Sequence, residues 1–247
     1  MLLAGAAIAA LSACGPTNNT TPTPGPASTS SSSSSTSSKL STGSATDSTG
    51  GITAGAVVFQ STLQPPSNDF GLSANVTEDS DGITLTVDKP GNYTYTELKD
   101  FHGIPQDLAV HVFATEATPS KIYYGVACRG YGQDEKYLLL ADATGQWAIV
   151  QVKNGDQTLL KKGTASGVDA SKRVQIDAAC VTPASNDQMN HLVLALNGKV
   201  VGVVDDDFHN VSISNDFQLI AISPDPQSTG TGSATFSNLK VYSASAK

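Results

Sequence analysis

The chain has 247 residues, of which 14 are Lys or Arg and 22 are Asp or Glu, so its formal net charge is −8. This acidic balance excludes the clustered positive charge that binding to a phosphate backbone needs, and we expect no nucleic-acid partner. No apolar run approaches the ~20 residues of a membrane-spanning helix, and the hydrophobic fraction of 39% is too high for a fully disordered chain.

The first predicted element is an apolar stretch from Leu2 to Leu11, which has the length of a signal-peptide core. It runs into Leu-Ser-Ala-Cys at residues 11–14, which resembles the lipobox of bacterial lipoproteins. The resemblance implies a signal peptide over residues 1–13 and a diacylglycerol on the sulfur of Cys14. Acyl chains would then anchor the protein to the extracytoplasmic face of the bacterial cell membrane. The usual positive residues ahead of the apolar stretch are missing, and the alternative is a hydrophobic N terminus with an incidental Cys.

The next segment, residues 14–54, is predicted to be a disordered tether. After the lipidated Cys it is rich in Ser, Thr and Pro, with an almost pure Ser/Thr tract from Ser28 to Ser38. Such a composition cannot bury enough apolar surface to offset the entropy of ordering the chain. Ser and Thr beside Pro suit O-glycosylation, and an unmodified spacer is the alternative.

Residues 55–247 are predicted to form a single all-β domain that carries the whole net negative charge. Short segments rich in β-branched or aromatic residues follow one another, each bounded by Gly, Asn, Asp or Pro. The predicted strands are 82–87, 108–115, 122–129, 136–142, 146–153, 173–181, 191–197, 199–204, 217–222 and 234–242. Asn-Gly at 154–155 and 197–198 and Asp-Gly at 81–82 are typical of tight hairpin turns. Strands at this spacing indicate an antiparallel β-sandwich.

The cysteines predict one disulfide. If Cys14 carries lipid, Cys128 and Cys180 remain in an oxidising compartment, and each lies on the apolar face of its predicted strand. The alternative is a pair of free, buried thiols. A metal site is disfavoured because no CxxC motif or paired His accompanies them.

Several of these segments together resemble a known fold. They are Tyr-Gly-Val-Ala-Cys-Arg at 124–129, Lys-Tyr-Leu-Leu-Leu at 136–140, the stretch 145–155 that contains Trp147, the Cys180 strand 173–180, and the Asn-Gly hairpin 194–205. Their order resembles the concanavalin A-like lectin/glucanase jelly roll of the laminin-G-like kind, over roughly Val57 to Tyr242. The resemblance implies a fold shared by sugar binders, sensors, adhesive modules and hydrolases. The polar insertion 182–190 departs from the tight turn of that family.

A candidate ligand-binding patch follows from strand alternation. Trp147 shares a mixed face with polar residues, Tyr123 and Arg129 are predicted to point away from Cys128, and Tyr137 is predicted to oppose its Leu neighbours. Exposed together, these four side chains would supply flat rings for stacking on a sugar and a guanidinium donor. In the alternative interpretation, Trp147 caps a second hydrophobic layer.

No cofactor is expected. The three carboxylates Asp205, Asp206 and Asp207 are weak candidates for Ca²⁺, and the favoured alternative is an acidic turn that keeps the edge of the sheet soluble. The chain has four Glu, at 78, 97, 116 and 135, too far apart for the paired carboxylates on one strand that hydrolases of this fold use.

These observations favour a non-catalytic binding module for carbohydrate or cell-envelope glycan. The alternative is a structural or protein-interaction module of the sensor type, whose partner would be a surface protein. An enzyme is the least favoured class.

Overall fold

The computed structural model describes residues 49–67, 69–99, 104–117, 122–131, 134–169, 172–207, 216–223 and 230–246. These residues form fourteen β-strands in antiparallel pairs. The described part of the chain includes no helix that is long and apolar enough to span a membrane. Cys14 and the predicted signal peptide lie outside the described residues, as does the tether up to residue 48.

One sheet has eight strands. They are β1 (Ile52–Ser61), β2 (Val76–Asp79), β3 (Gly82–Val87), β5 (Leu108–Glu116), β10 (Val174–Val181), β11 (Asn190–Leu196), β12 (Lys199–Asp206) and β14 (Gly232–Ala246). Their order is β12-β11-β10-β5-β14-β3-β2, and β1 also pairs with β14. The long strand β14 holds β5 on one edge and, on the other, first β3 and then β1.

The second sheet has six strands. They are β4 (Tyr93–Glu97), β6 (Tyr123–Tyr131), β7 (Glu135–Ala141), β8 (Gln146–Lys153), β9 (Asp156–Thr164) and β13 (Asp216–Ile222), in the order β4-β13-β6-β7-β8-β9. With the eight-stranded sheet it forms a two-layer sandwich, which confirms the predicted fold class. Strand β1 begins at Ile52, three residues before the predicted domain start at residue 55.

The main core lies between the sheets and follows from strand alternation. Along β5, every second residue from Leu108 to Glu116 is buried and the residues between are half-buried. The largest fully buried side chains on the two inner faces are aromatic: Phe70, Tyr124, Tyr137, Phe217 and Phe236. Each such ring removed from water stabilises the fold by about 1.5–3 kcal/mol.

The six-stranded sheet is also apolar on its outer face. Strand β7 is buried at every position from Lys136 to Ala141, so it is packed on both sides. A second cluster on this outer face consists of Ala127, Leu138, Leu140, Val152, Ile220 and Ile222. A sheet covered on both faces reads as a continuous apolar run rather than as a clean alternation.

Two hairpins are formed by the predicted Asn-Gly turns. Asn154 and Gly155 join β8 to β9 with φ of 53° and 81°, and Asn197 and Gly198 join β11 to β12 with φ of 51° and 76°. Positive φ at both central positions is the requirement of a type I′ turn, which Asn and Gly meet at least cost.

Four strands were not predicted: β1, β2, β4 and β9. Strands β4 and β9 lie at the two edges of their sheet and β2 at an edge of the other. Most side chains of β9 and of β1 are exposed, so these strands carry little of the hydrophobic periodicity from which strands are predicted.

Candidate functional site

The predicted disulfide between Cys128 and Cys180 is confirmed. It joins β6 of the six-stranded sheet to β10 of the eight-stranded sheet, with 6.5 Å between the two Cα atoms. Both residues belong to the main core, as predicted from their apolar strand faces. The bond therefore ties the two layers together at one end of the sandwich.

Arg129 does not point outward, which corrects its predicted place in an exposed patch. Its φ of 58° and the irregular pairing of β6 with β7 just after Cys128 break the strand alternation. The guanidinium is buried and donates to Asp107 and, at 2.9 Å, to the hydroxyl of Thr182. Burial lowers the pKa of Arg129, and the charge of Asp107 opposes that shift. Arg129 therefore links the two sheets beside the disulfide.

Tyr137 also faces inward, contrary to the patch prediction. Its ring is fully buried in the main core, while Leu138 on the same strand packs in the outer cluster. The hydroxyl donates to Asp206 Oδ2 at 2.7 Å and accepts from Asn190 Nδ2 at 3.3 Å. The prediction was wrong because both faces of β7 are apolar, and alternation alone cannot then tell inner from outer.

Trp147 is 6% exposed and belongs to the main core. Its indole lies between two glycines, one on each sheet: a Cβ built on Gly163 or on Gly202 would come within 2.7 Å of the ring. The missing side chains make the space that the indole fills. The prediction that Trp147 offers an exposed surface for stacking on a sugar is therefore wrong. Trp147 packs in the hydrophobic interior instead.

Tyr123 alone of the four predicted ligand-binding residues lies on an outer sheet face. It is half-buried and packs against the outer cluster of the six-stranded sheet. Burial raises the pKa of its phenol, and the negative charge of Asp142 raises it further. The predicted patch is thus divided among three places in the fold.

The carboxylates of Asp205, Asp206 and Asp207 do not converge. Asp205 Oδ1 lies 2.6 Å from His191 Nδ1, whereas Asp206 Oδ2 accepts from Tyr137 and, at 2.6 Å, from Gln151. Within the described ranges, no three His, Cys, Asp or Glu side chains are grouped as a metal ion would require.

The structure instead assembles polar and aromatic side chains on the outer face of the six-stranded sheet, beside Tyr123. We call this group the tyrosine site, and it consists of Tyr93, Tyr95, Glu97, Tyr123, Lys136 and Gln218. Strand register places Tyr93, Tyr95 and Glu97 of β4 beside Ile222, Ile220 and Gln218 of β13. Tyr123 of β6 pairs with Ile222 from the other side.

Small residues on β6 open a path across this face. Gly125 and Ala127 occupy the strand between β13 and β7. Gly125 cannot carry a side chain, because a Cβ there would lie 2.1 Å from the carbonyl oxygen of Leu139. In the register, Lys136 lies nearer to Ala127 than to Gly125, and its side chain reaches across β6 to Gln218 of β13 and to the tyrosine rings of β4.

The Lys136 ammonium is held by rings and an amide. Its Nζ lies 5.6 Å from the Tyr93 ring centroid and 5.2 Å from that of Tyr95, within the range of a cation–π interaction. It also donates to Gln218 Oε1 at 3.1 Å, and Gln218 Nε2 donates to Glu97 Oε1 at 2.6 Å. This chain of contacts fixes the amide and compensates for the burial of a charge.

The two tyrosines of β4 provide the aromatic surface of the site. Their rings are stacked, with centroids 6.0 Å apart and planes at 29°, and Tyr93 is 41% exposed. An exposed phenol beside an oriented, half-buried carboxylate can pack on an apolar ring face and form hydrogen bonds with neighbouring hydroxyls.

Sequence reasoning missed most of this site because strand β4 was not predicted. The signal was the segment Tyr-Thr-Tyr-Thr-Glu at 93–97, in which aromatic and hydroxyl residues alternate. Thr94 and Thr96 face inward and donate to backbone carbonyls, so the tyrosines must face outward. Lys136 and Gln218 had no such signal, since their meeting depends on strand order.

Comparison with known proteins finds the fold but no family. No family model and no curated protein sequence matches the chain. Among solved structures, the carbohydrate-binding module CBM66 from Bacillus subtilis is similar, with a TM-score of 0.51 and 13% identity over 71% of this chain and 96% of that one. The Crh5 transglycosylase in complex with NAG has a TM-score of 0.53 and 10% identity over 76% and 85%. At these identities the similarity shows a shared lectin-like β-sandwich fold.

Proposed function

We propose that this protein is a non-catalytic carbohydrate-binding module that is anchored at the extracytoplasmic face of the bacterial cell membrane and binds an envelope polysaccharide. The observation that carries the binding part is the tyrosine site. Sugar rings have an apolar C–H face that packs on an aromatic ring and hydroxyl edges that need hydrogen-bond partners. Tyr93 and Tyr95 supply the first. The half-buried carboxylate of Glu97 supplies the second, and the buried Lys136 and Gln218 hold that carboxylate in place.

The geometry also supports a rigid site. The polar groups of the tyrosine site are held by one another, since Gln218 bridges Lys136 and Glu97. They project from paired strands rather than from loops, so little order has to be gained when a ligand binds.

The proposed lack of catalysis follows from the composition of the site. Glycoside hydrolysis uses two carboxyl groups, about 5–5.5 Å apart in retaining and ~6.5–9.5 Å in inverting enzymes. Glu97 Oε1 accepts a hydrogen bond from the amide of Gln218, and among the described residues no second carboxyl group is a hydrogen-bond partner of Glu97. The fold itself hosts both binders and enzymes, since one similar structure is a transglycosylase.

The binding proposal is tested with the full chain purified in mild detergent and a panel of envelope polysaccharides and peptidoglycan, measured by calorimetry or pull-down. Tyr93→Ala should weaken binding by about tenfold, which corresponds to ~1.4 kcal/mol. Tyr242→Ala, which removes a half-buried tyrosine from the other sheet, is the matched control. Equal binding by the two variants would place the ligand elsewhere. Failure of every polysaccharide to bind would contradict the proposal and favour a protein-interaction module.

The anchoring part has its own test. Cys14→Ser removes the thiol that the lipobox resemblance assigns to the diacylglycerol, so the protein should move from the membrane fraction to the soluble extracytoplasmic fraction. Ala13→Gly, which keeps a small residue before the Cys, should leave the distribution unchanged. Continued membrane association of Cys14→Ser would refute lipidation at this residue.

A further inference from the structure

Apart from the tyrosine site, a cleft lies on the outer face of the eight-stranded sheet. It has a volume of about 300 Å³ and is lined by residues of β1, β5 and β14, among them Gln60, His111, Phe113, Asn238 and Lys240. This volume is at the lower end of the ~300–1,000 Å³ that small-molecule sites span. The cleft therefore has room for a single small ligand unit.

The cleft exists because β14 changes partner. Its residues up to Phe236 pair with β3, and its residues from Leu239 onward pair with β1. Between them the pairing with β5 is irregular, and Asn238 has a φ of 52°. A bulge of this kind redirects side chains and interrupts the ladder. The gap between the two partner strands is the floor of the cleft.

Four polar side chains stand in one row across the strands at this point. Asp177 of β10 is in register with His111 of β5, His111 with Lys240 of β14, and Lys240 with Gln60 of β1. His111 Nδ1 lies 2.7 Å from Asp177 Oδ1, and Gln175 donates to the other Asp177 oxygen at 2.6 Å. The carboxylate thus orients the imidazole and leaves Nε2 as its nitrogen for a ligand.

The charges around the cleft are mainly positive, in a chain whose net charge is −8. Arg173 lies over the ring of Phe113, 3.9 Å from its centroid. The ring also meets His111 edge to face, with centroids 5.0 Å apart. No described carboxylate forms an ion pair with Lys240. Lys240 and Arg173 therefore supply two cations here, and Asp177 is the acid in the same row of side chains.

We propose that this cleft binds the acidic unit of a carboxylated saccharide, with its carboxylate on Lys240 and its hydroxyls on His111 Nε2 and on the amides of Gln60 and Asn238. A carboxylate accepts a charge-assisted hydrogen bond from an ammonium, which is about twice as strong as a neutral one. Since His111 Nδ1 donates to Asp177, its Nε2 can accept a hydrogen bond from a sugar hydroxyl. The site is on the opposite sheet from the tyrosine site and shares no residue with it. The domain would then contact an envelope glycan at two independent surfaces.

The probe is trigalacturonate, titrated by calorimetry into the full chain at low salt, with maltotriose as the neutral comparison. Trigalacturonate should bind at least tenfold more tightly than maltotriose. Lys240→Gln should weaken its binding at least fivefold. Lys199→Gln, which removes the same charge from an exposed hairpin, should leave it unchanged. Thermal unfolding of each variant verifies that the fold is kept.

Two results would overturn this proposal: equal affinity for the acidic and neutral probes, or equal loss in Lys240→Gln and Lys199→Gln. Inorganic phosphate distinguishes a general anion site, because competition at equal concentration would refute selectivity for a carboxylated sugar. Tyr93→Ala should not change trigalacturonate binding, and Lys240→Gln should not change polysaccharide binding at the tyrosine site. The two binding proposals can therefore be refuted independently of each other.

Discussion

The two ends of the sandwich are held together by different chemistry. At the disulfide end, the sheets are joined by Cys128–Cys180, by Arg129 with Asp107, and by Tyr137 with Asp206. At the tryptophan end, they are joined by packing: the indole of Trp147 fills the space between Gly163 and Gly202. Tyr124, also at this end, meets Phe236 edge to face, with ring centroids 6.4 Å apart.

The difference shows how the same residue type can be used in two ways. Tyr124 and Tyr137 are both fully buried, and they lie on neighbouring strands at opposite ends. The Tyr137 hydroxyl has Asp206 as its partner, whereas the Tyr124 hydroxyl has no hydrogen-bond partner among the described residues. At the disulfide end the two sheets are held by hydrogen bonds with a fixed direction. At the tryptophan end they are held by side chains that fill the space between them.

The largest expected effect is at the tryptophan end. Trp147→Ala should lower the free energy of unfolding by about 3–5 kcal/mol, because it removes a buried indole and leaves a cavity. The measurement is urea unfolding of the full chain followed by circular dichroism. Gly202→Ala should also destabilise, since its new methyl would meet the indole. Its cost should shrink in the Trp147→Ala background, and an unchanged cost would contradict direct packing of Gly202 against the indole.

The next effect is at the disulfide end. Replacing both Cys128 and Cys180 with Ala should cost about 2–5 kcal/mol, because the bond closes a long loop and restricts the unfolded chain. The sequence separation is 52 residues. The two ends act independently if this loss and that of Trp147→Ala add to within about 0.5 kcal/mol. A wild-type chain that loses no stability under a reducing agent would show that the bond contributes nothing.

The two tyrosines provide a smaller, matched comparison. Tyr137→Phe should cost about 1–3 kcal/mol, because Asp206 loses a hydrogen bond to a buried donor. Tyr124→Phe removes a hydroxyl that has no partner in the described part of the chain, so it should leave stability unchanged or raise it. Both are measured by urea unfolding at pH 7. Equal losses in the two variants would mean that the hydrogen bond from Tyr137 to Asp206 does not stabilise the fold.

The fold class could be predicted because it depends on local signals. Ten strand segments, the Asn-Gly turns and the cysteine faces are visible in the sequence, and the strands, the two hairpins and the disulfide were found where expected. The exposed edge strands β4 and β9 could not be predicted, since neither has an apolar face long enough to reveal its period.

The site could not be predicted because it depends on strand order and on which face is covered. Strand alternation correctly separated Tyr137 from Leu138, but both of their faces are buried, and it assigned the wrong one to the outside. Trp147 was placed on a mixed face, and its burial depends on glycines that are distant in sequence. Lys136 on β7 and Tyr95 on β4 are brought together by the strand order β4-β13-β6-β7, which the sequence does not reveal.

The smallest effect is a difference in alkaline stability. Burial raises the pKa of Tyr124 and of Tyr137 above the usual value near 10, with nearby carboxylates adding to the shift. Above pH 10 the unfolded chain loses these protons first, so the folded state binds more protons and stability falls as pH rises. Each tyrosine should account for a loss of about 1 kcal/mol at pH 10.5.

Comparing each Phe variant with wild type at two pH values isolates this contribution. At pH 8 neither state is ionised at these phenols, so the difference in unfolding free energy is the mutational effect alone. Between pH 8 and pH 10.5, the unfolding free energy of Tyr124→Phe should rise by about 1 kcal/mol relative to wild type. The unfolding free energy of Tyr137→Phe should rise by the same amount. The gain is set by ionisation of the tyrosine in the unfolded chain, where both phenols have the usual pKa. A gain for Tyr137→Phe only would mean that the Tyr124 phenol is reached by water at high pH, and that the tryptophan end opens before the disulfide end.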